Sequence, residues 1–244
     1  MRWDVVAFDN YGTLEDIHTD EEKDTVWEGF ARWLLLHGAA WEPRRLRAAY
    51  RSQITRQRRR LARERGLAET EIEVDLSPVF ARLLALGGAA ADERTVAEAA
   101  MAFRALTIER IGLYAGTIGM LRALRQAGLK VALFSNAQIL FTEPEMKALG
   151  TWDLFDERFI SSRYGVKKPS PAFYRELIDW AGVPPEKILM VGNSPRDDIL
   201  PAKALGLGTG YVWSELTEKE AARPESDLYL SAPDMPALTR LILS

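Results

Sequence analysis

Residues 2–14 read RWDVVAFDNYGTL, and this stretch predicts a buried strand followed by a polar turn. The apolar part is short, rich in β-branched and aromatic residues, and stopped by Asp9 and Gly12. Similar apolar runs recur at residues 130–134, 188–191 and 210–213, and helical spacing of apolar residues precedes each of them. Strands that alternate with helices predict an α/β fold with a parallel sheet covered on both faces.

Between residues 15 and 113 the pattern changes from alternating elements to helices alone. Apolar residues recur at helical spacing around residues 26–34 and 79–86, and no run of comparable strand character interrupts them. We therefore expect an all-helical insertion after the first strand.

Within the insertion, residues 44–65 carry ten arginines and one glutamate. Such a run is typical of a solvated helical surface. It could also create a positive field that draws an anionic substrate to a nearby cleft. Nucleic-acid binding is less favoured, because Tyr50 is the one aromatic residue in the run and the whole chain has a net charge of −3.

Composition excludes several classes of protein and of site. The 244 residues are 47% hydrophobic and 27% charged, which is ordinary for a globular protein. No apolar run reaches the roughly 20 residues that span a bilayer, and no secretory signal is recognisable, so we expect a cytoplasmic protein without a membrane or nucleic-acid partner. The absence of cysteine excludes thiolate chemistry, and the presence of only two histidines excludes a histidine-rich zinc site.

Four polar side chains follow the predicted strands or precede a helix: Asp9, Ser135, Lys168 and Asp198. Ligands of open α/β sheets bind beyond the carboxyl ends of the strands, so these residues form a candidate site. A carboxylate can act as a covalent nucleophile, and a lysine can keep it ionised and neutralise developing charge. Taken singly, Asp9 could merely end a strand, Lys168 could lie on the surface, and Asp198 could favour a helix start.

In this order, the four motifs resemble those of the haloacid dehalogenase-like hydrolase superfamily. The motifs are residues 9–14, Ser135, residues 168–169 and residues 192–198, and the resemblance covers nearly the whole chain. It implies a Rossmann-like core formed by residues 1–14 and 114–244, with residues 15–113 as a helical cap. It further implies that Asp9 is the nucleophile, Lys168 the charge stabiliser and Asp198 the closing acid, with Thr13 and Ser135 binding the substrate anion.

Two positions depart from the phosphatases of this superfamily. Those enzymes carry an aspartate two residues after the nucleophile, as the acid that protonates the leaving group, and here that residue is Tyr11. They also place a magnesium-binding aspartate where this chain has Asn193. The form Asp-Xaa-Tyr-Gly-Thr is similar to that of 2-haloacid dehalogenases, which use no metal.

The dehalogenase resemblance adds substrate contacts from Tyr11, from Asn136 and from a cap arginine, for which Arg51 is the candidate. A fourth motif that begins Gly192-Asn193 looks more like the phosphatase branch, in which Asp9 and Asn193 would bind Mg²⁺.

Three functional hypotheses follow. The first is metal-independent displacement of halide from a small anionic 2-haloacid through an ester on Asp9. The second is a Mg²⁺-dependent phosphatase of a small phosphate monoester. The third is a catalytically silent module that binds an acidic partner through residues 44–65. The sequence contains no signal for an oligomeric state.

Overall fold

The computed structural model describes residues 2–217 and 222–244, and these form a six-stranded parallel sheet with helices on both faces. The strand order is β5-β4-β1-β6-β7-β8. The strands are β1 (Val5–Phe8), β4 (Lys130–Ser135), β5 (Glu157–Ile160), β6 (Ile188–Gly192), β7 (Gly208–Val212) and β8 (Leu228–Leu230). The predicted α/β fold with a Rossmann-like parallel sheet is confirmed.

Alternating side chains of β1 face two different helix layers, as the period of two in a strand requires. Val6 and Phe8 pack with α5 (Thr117–Gln126) and α10 (Met235–Leu243), while Val5 and Ala7 pack with α8 (Pro171–Ala181) and α9 (Leu200–Ala204). The central strand therefore has no polar side chain of its own, and chemistry can begin only where the strand ends.

The register of the sheet places the ends of three strands side by side. Phe8 of β1 lies opposite Leu133 of β4 and Val191 of β6. The residues that follow these positions in the chain therefore emerge at one edge of the sheet.

Residues 24–107 form four helices, which we call the cap helices: α1 (Asp24–Leu36), α2 (Pro43–Arg65), α3 (Ser77–Gly87) and α4 (Glu93–Thr107). They enclose an aromatic core of their own, in which Trp27, Tyr50 and Phe103 contact one another at ring-centroid distances of 5.2–5.4 Å. No helix within residues 2–217 and 222–244 is long and apolar enough to cross a bilayer.

The ends of the predicted helical insertion are strands. β2 (Glu15–Thr19) pairs antiparallel with β3 (Ile108–Leu113), so the chain leaves for the cap helices and returns from them through one two-stranded ribbon. The expectation of helices alone over residues 15–113 is wrong at both ends. The sequence of β2 does not show the alternation of apolar and polar residues that is typical of a strand, because the charged residue Glu15 occupies a buried position, as Ile17 does.

The described residues also include α6 (Ile139–Ala148) and the short helix α7 (Ser161–Tyr164), which precedes the loop that carries Lys168. A single π-helical turn, Pro195–Ile199, follows β6 and carries Asp198.

Candidate active site

The site is built around a buried chain of three charges at the carboxyl edge of the sheet. Lys168 Nζ lies 2.8 Å from Asp9 Oδ1 and 2.6 Å from Asp198 Oδ1, and it also donates to the Phe134 carbonyl at 2.9 Å. Lys168 is 2% exposed and Asp198 is 1% exposed. Burial by itself would lower the pKa of Lys168, but the two carboxylates raise it above its usual range, so the amine stays protonated.

The two carboxyl oxygens of Asp9 differ in their partners. Oδ1 accepts hydrogen bonds from Lys168 Nζ and from Ser135 Oγ, the latter at 3.0 Å. Among the residues that the structure describes, Oδ2 has one long contact, with the Thr13 hydroxyl at 3.5 Å. Oδ2 is therefore the oxygen with lone pairs available for a bond to another molecule.

Thr13 lies between two motifs that are far apart in the sequence. Its hydroxyl is 3.3 Å from Asn193 Oδ1 as well as 3.5 Å from Asp9 Oδ2. Gly12 makes this approach possible: its φ of +81° lies in the left-handed region, and a Cβ there would come within 2.6 Å of Asn193 Nδ2.

Asp198 is held by the π-helical turn as well as by the lysine. Its Oδ2 accepts from the Ser194 amide at 2.9 Å, and burial raises the pKa of its carboxyl to about 7 against the opposing effect of Lys168. The buried Tyr174 hydroxyl reaches the same turn and contacts the carbonyls of Asp197 and Asp198 at 2.7 and 3.0 Å. Tyr174 is therefore a support for the turn.

Asn136 was expected to contact the substrate, but in the structure its side chain binds the backbone of Lys168. Its Oδ1 accepts from the Lys168 amide at 2.8 Å, and its Nδ2 donates to the Lys168 carbonyl at 3.0 Å. Because both ends of the amide are used, Asn136 fixes the backbone from which the ammonium group extends.

A segment at the end of α2 also forms hydrogen bonds with the loop that carries Lys168, which we call the lysine loop. We call residues 65–76 the cap-edge segment. The Lys167 amide donates to the Glu71 carbonyl at 2.9 Å, and the Ser170 hydroxyl donates to the Glu71 carboxylate at 2.7 Å. Arg65 Nη1 donates to the Tyr164 carbonyl at 2.7 Å. The loop that carries Lys168 is therefore braced from both the sheet and the cap side.

Tyr11 belongs to a second buried polar cluster that joins the nucleophile loop to α4 and α6. Its hydroxyl donates to Glu145 Oε2 at 2.6 Å and lies 3.0 Å from the Thr142 hydroxyl. Arg104 of α4 forms a 2.5 Å ion pair with Glu145, and its guanidinium carbon lies 5.6 Å from the centre of the Tyr11 ring. Burial raises the pKa of the Tyr11 phenol well above its usual range, and Glu145 adds to this effect.

Glu15 and Asn10 lie buried in the same region. The Asn10 amide lies close enough to the Glu15 carboxyl group to lower its pKa, although neither side chain forms a short, well-aligned hydrogen bond with a described residue. Burial raises the pKa of Glu15 from 4.5 to about 8, and the charges of Glu145 and Asp9 act in the same direction.

A contact between Arg51 and the substrate stays a prediction. The Arg51 guanidinium is partly exposed and forms an ion pair with Glu22, and Arg51 also lines a cavity together with Trp27 and Tyr50. Neighbouring helical residues point about 100° apart, so Arg51 is more exposed than the buried Tyr50.

Oxygen donors for a magnesium ion are few at this edge. Asp9 Oδ2 and Asn193 Oδ1 converge on the Thr13 hydroxyl, whereas both oxygens of Asp198 are engaged. Mg²⁺ often takes one or two protein carboxylates and completes its shell with water and phosphate, so Asp9 and Asn193 fit the lower limit of such a site. Within residues 2–217 and 222–244, no cluster of three or more histidine, aspartate or glutamate side chains could hold a metal.

Similar proteins by sequence are phosphatases. The glyceraldehyde 3-phosphate phosphatase of Methanothermobacter thermautotrophicus is 32% identical over 114 residues, which are 47% of this chain and 50% of that protein. The phosphoglycolate phosphatase of Colwellia psychrerythraea is 33% identical over 115 residues, 45% of this chain and 50% of the relative. The chain spans about half the length of these relatives.

Similar solved structures include both chemistries. A 2-haloacid dehalogenase from Pseudomonas syringae matches with a TM-score of 0.63 and 19% identity over 98% of each chain. A phosphatase of the same superfamily from Thermococcus onnurineus matches with a TM-score of 0.59 and 20% identity over 98% of this chain and 97% of the other. At this identity the likeness establishes the fold alone.

The family model for haloacid dehalogenase-like hydrolases matches residues 3–206, and this range includes Asp9, Ser135, Lys168 and Asp198. Since the match covers most of the chain, and the sheet brings the four motifs to one edge, the protein belongs to the haloacid dehalogenase-like hydrolases.

Proposed function

We propose that this hydrolase works through an ester on Asp9 and acts on small anionic substrates whose leaving group departs without a proton, in the first place the halide of a 2-haloacid. The hydrogen bonding of Tyr11 carries this proposal. At the position where a leaving-group acid is required, the chain has a phenol that already donates to Glu145.

The phenol is poorly suited to protonate a leaving group. Burial raises the pKa of the Tyr11 phenol well above its usual range. The phenol oxygen lies 2.6 Å from Glu145 Oε2, which already accepts its proton in a hydrogen bond. A general acid contributes typically about 10²- to 10⁴-fold to the rate, which an alkoxide leaving group needs. A halide is a stable anion and leaves with the electron pair of the carbon–halogen bond, so the missing acid costs this reaction nothing.

The residues of the site support a two-step displacement. Asp9 Oδ2 attacks the carbon that bears the halogen, a carbon–oxygen bond forms, and the halide leaves. Water then attacks the carbonyl carbon of the Asp9 ester, the acyl carbon–oxygen bond breaks, and the hydroxy acid, a proton and the free carboxylate result. Lys168 and Ser135 on Oδ1 hold the nucleophile and stabilise the negative charge that develops on its carbonyl oxygen during the second step.

A second candidate, a phosphatase of small phosphate monoesters, is favoured by the sequence relatives. Asp9 and Asn193 would hold Mg²⁺, which when bound would neutralise phosphate charge. In this case Asp9 Oδ2 attacks phosphorus. Because Tyr11 does not supply a proton to the leaving group, we expect a preference for esters whose leaving alcohol has a low pKa.

One experiment separates the two candidates. The protein is incubated with L-2-chloropropionate and with p-nitrophenyl phosphate, each with Mg²⁺ and with a chelator, and chloride and phosphate are measured. We expect chloride release that does not change with the chelator. Phosphate release that requires Mg²⁺, without chloride release, would overturn the first proposal in favour of the second.

The Asp9→Asn variant is the control for the covalent step and for the third hypothesis, a silent binding module. We expect it to abolish the activity, while Asp16→Asn, at a partly exposed position of the ribbon that pairs with Arg110, leaves it within about twofold. In single turnover in ¹⁸O-water, the label should enter the Asp9 carboxyl group of the wild-type protein. Label that enters the product alone contradicts an ester on Asp9.

A further inference from the structure

One helix of the cap carries the arginine-rich run that the proposed function does not use. α2 has ten arginines, one glutamate and no lysine within residues 43–65. The side of α2 that contains Leu46, Tyr50 and Ala62 is buried against the other cap helices. Charged side chains occupy much of the remaining circumference, so the exposed part of α2 is a positively charged surface.

Four residues form a row along the exposed side of α2. Ser52, Arg56, Arg59 and Arg63 are spaced by three and four residues, so they lie on one face of the helix, and all four are exposed. We call them the arginine row. At 1.5 Å per residue, the row is about 17 Å long.

A groove of about 520 Å³ lies along the arginine row. The described residues that line it carry guanidinium or hydroxyl groups and no carboxylate, and they are Arg51, Ser52, Thr55, Arg56, Arg59 and Arg63. A second depression of about 390 Å³ shares Arg59 and Arg63 with this groove and extends past the end of α2 to Gly66 and Leu67. Glu69 brings one carboxylate to the second depression. The two depressions therefore form one continuous and mostly basic surface.

The arginine row has little charge compensation within the protein. Arg56 and Arg63 form no ion pair or hydrogen bond with any residue in the ranges 2–217 and 222–244. Arg59 is paired with Glu69 at 3.7 Å, but both side chains are more than half exposed, and such a pair contributes little to stability. The guanidinium groups of the row can therefore bind external carboxylates without the loss of a buried contact.

We propose that the arginine row binds an acidic segment of a partner protein. The planar guanidinium group can bind both oxygens of a carboxylate at once, which the ammonium group of lysine cannot do, and arginine is the one basic residue type in α2. An extended peptide spans about 3.3 Å per residue, so about five or six residues cover the row. The exposed hydroxyls of Ser52 and Thr55 can form hydrogen bonds with the backbone of such a peptide.

The surface of α2 differs from a nucleic-acid site in its aromatic residues. Proteins that bind single-stranded nucleic acids combine a basic groove with aromatic side chains on which the bases stack. Tyr50, the one aromatic residue of α2, is buried and contacts Trp27 and Phe103. The chain as a whole has a net charge of −3, so the basic surface is local. These observations favour a short acidic peptide over a nucleic acid.

The test measures the binding of a blocked octaglutamate peptide to the whole protein by calorimetry. We expect the triple variant Arg56→Gln/Arg59→Gln/Arg63→Gln to bind the peptide at least about tenfold more weakly than the wild-type protein, because three charge-assisted contacts are lost. The affinity of the wild-type protein should fall between about 50 and 300 mM NaCl, since salt screens exposed charges.

Arg32→Gln/Arg122→Gln/Arg175→Gln is the matched control. It removes the same number of charges from exposed positions on α1, α5 and α8. Its affinity for octaglutamate should stay within about twofold of the wild-type value, because the contacts of the row are intact. The Asp9→Asn variant should bind the peptide as the wild-type protein does. No residue of the row belongs to the candidate site, so the inference does not depend on the proposed function.

Three results would overturn the proposal. Octaglutamate that does not bind to the wild-type protein would exclude the site. An equal loss of affinity in the two triple variants would show that net charge, and not the arginine row, attracts the peptide. An oligothymidylate of eight nucleotides that binds more tightly than octaglutamate would indicate a nucleic acid as the partner of this surface.

Discussion

Replacing Glu15 by glutamine should remove a pH dependence from the stability of the fold. Glu15 is fully buried, and its carboxyl group forms no short, well-aligned hydrogen bond with a described residue, although the nearby Asn10 amide partly opposes the effect of burial on its pKa. Burial raises its pKa from 4.5 to about 8, with further contributions from Glu145 and Asp9. At neutral pH the folded protein therefore keeps a proton on this side chain that the unfolded chain has lost.

The direction and size of the effect follow from this difference. Between the unfolded pKa of 4.5 and the folded pKa of about 8, the folded state binds more protons, so the free energy of unfolding falls as the pH rises. The slope approaches about 1.4 kcal/mol per pH unit. From pH 5 to pH 7 the loss amounts to about 2.5 kcal/mol, and it levels off above about pH 8.

Urea unfolding of the wild-type protein and of Glu15→Gln at pH 5, 6, 7 and 8 measures this effect. Glutamine has nearly the same shape and stays neutral, so the difference between the two proteins isolates the titration of Glu15. We expect Glu15→Gln to gain about 2.5 kcal/mol relative to wild type between pH 5 and pH 7. Glu28→Gln, at an exposed position, should give a constant difference. A difference for Glu15→Gln that does not vary with pH would refute the burial argument.

Three further substitutions test the supports of the site. In Gly192→Ala the new Cβ would overlap Asp198 Oδ2, so the carboxylate must move and kcat should fall at least about tenfold. In the control Gly119→Ala the new Cβ meets open space, and kcat should not change. Tyr174→Phe removes the one hydroxyl proton that the Asp197 and Asp198 carbonyls share, and it should lower the free energy of unfolding in urea by about 1–2 kcal/mol. An unchanged urea midpoint would contradict the role of Tyr174 as a support of the turn. Glu71→Ala should lower kcat about tenfold, whereas Glu71→Gln should not, because glutamine can still accept a hydrogen bond from the Ser170 hydroxyl. Equal effects of the two substitutions would show that the Glu71 carboxylate does not stabilise the loop that carries Lys168.

The central sheet and its charged cluster were predictable because both depend on local patterns. Apolar runs identify β1, β4, β6 and β7, and parallel strands bring their carboxyl ends to one edge, so Asp9, Ser135 and Asp198 are expected to lie close together. Lys168 follows a strand that no apolar run marks, and its place in the site is predicted by the family resemblance alone. β5 (Glu157–Ile160) and β8 (Leu228–Leu230) are sheet edges, and they were missed because one contains Glu157 and Arg158 and the other has three residues.

The contacts around Tyr11 were not predictable, because they join side chains from distant parts of the chain. Arg104 and Glu145 come from two helices and meet only through the packing of α4 on α6. Which arginine of α2 contacts a substrate is likewise not determined by the sequence, because ten arginines lie within residues 44–65 and their directions depend on how the helix packs.

The hydrogen bonds between the cap-edge segment and the lysine loop relate the position of the cap to the position of Lys168. Glu71 is bonded on both sides of Lys168, to the Lys167 amide and to the Ser170 hydroxyl. A movement of the cap-edge segment away from the sheet would break these two hydrogen bonds, whereas Asn136 would keep its bonds to the Lys168 backbone. The position of Lys168 is therefore set twice, and loss of the contacts on the cap side would leave its ion pair with Asp9 in place.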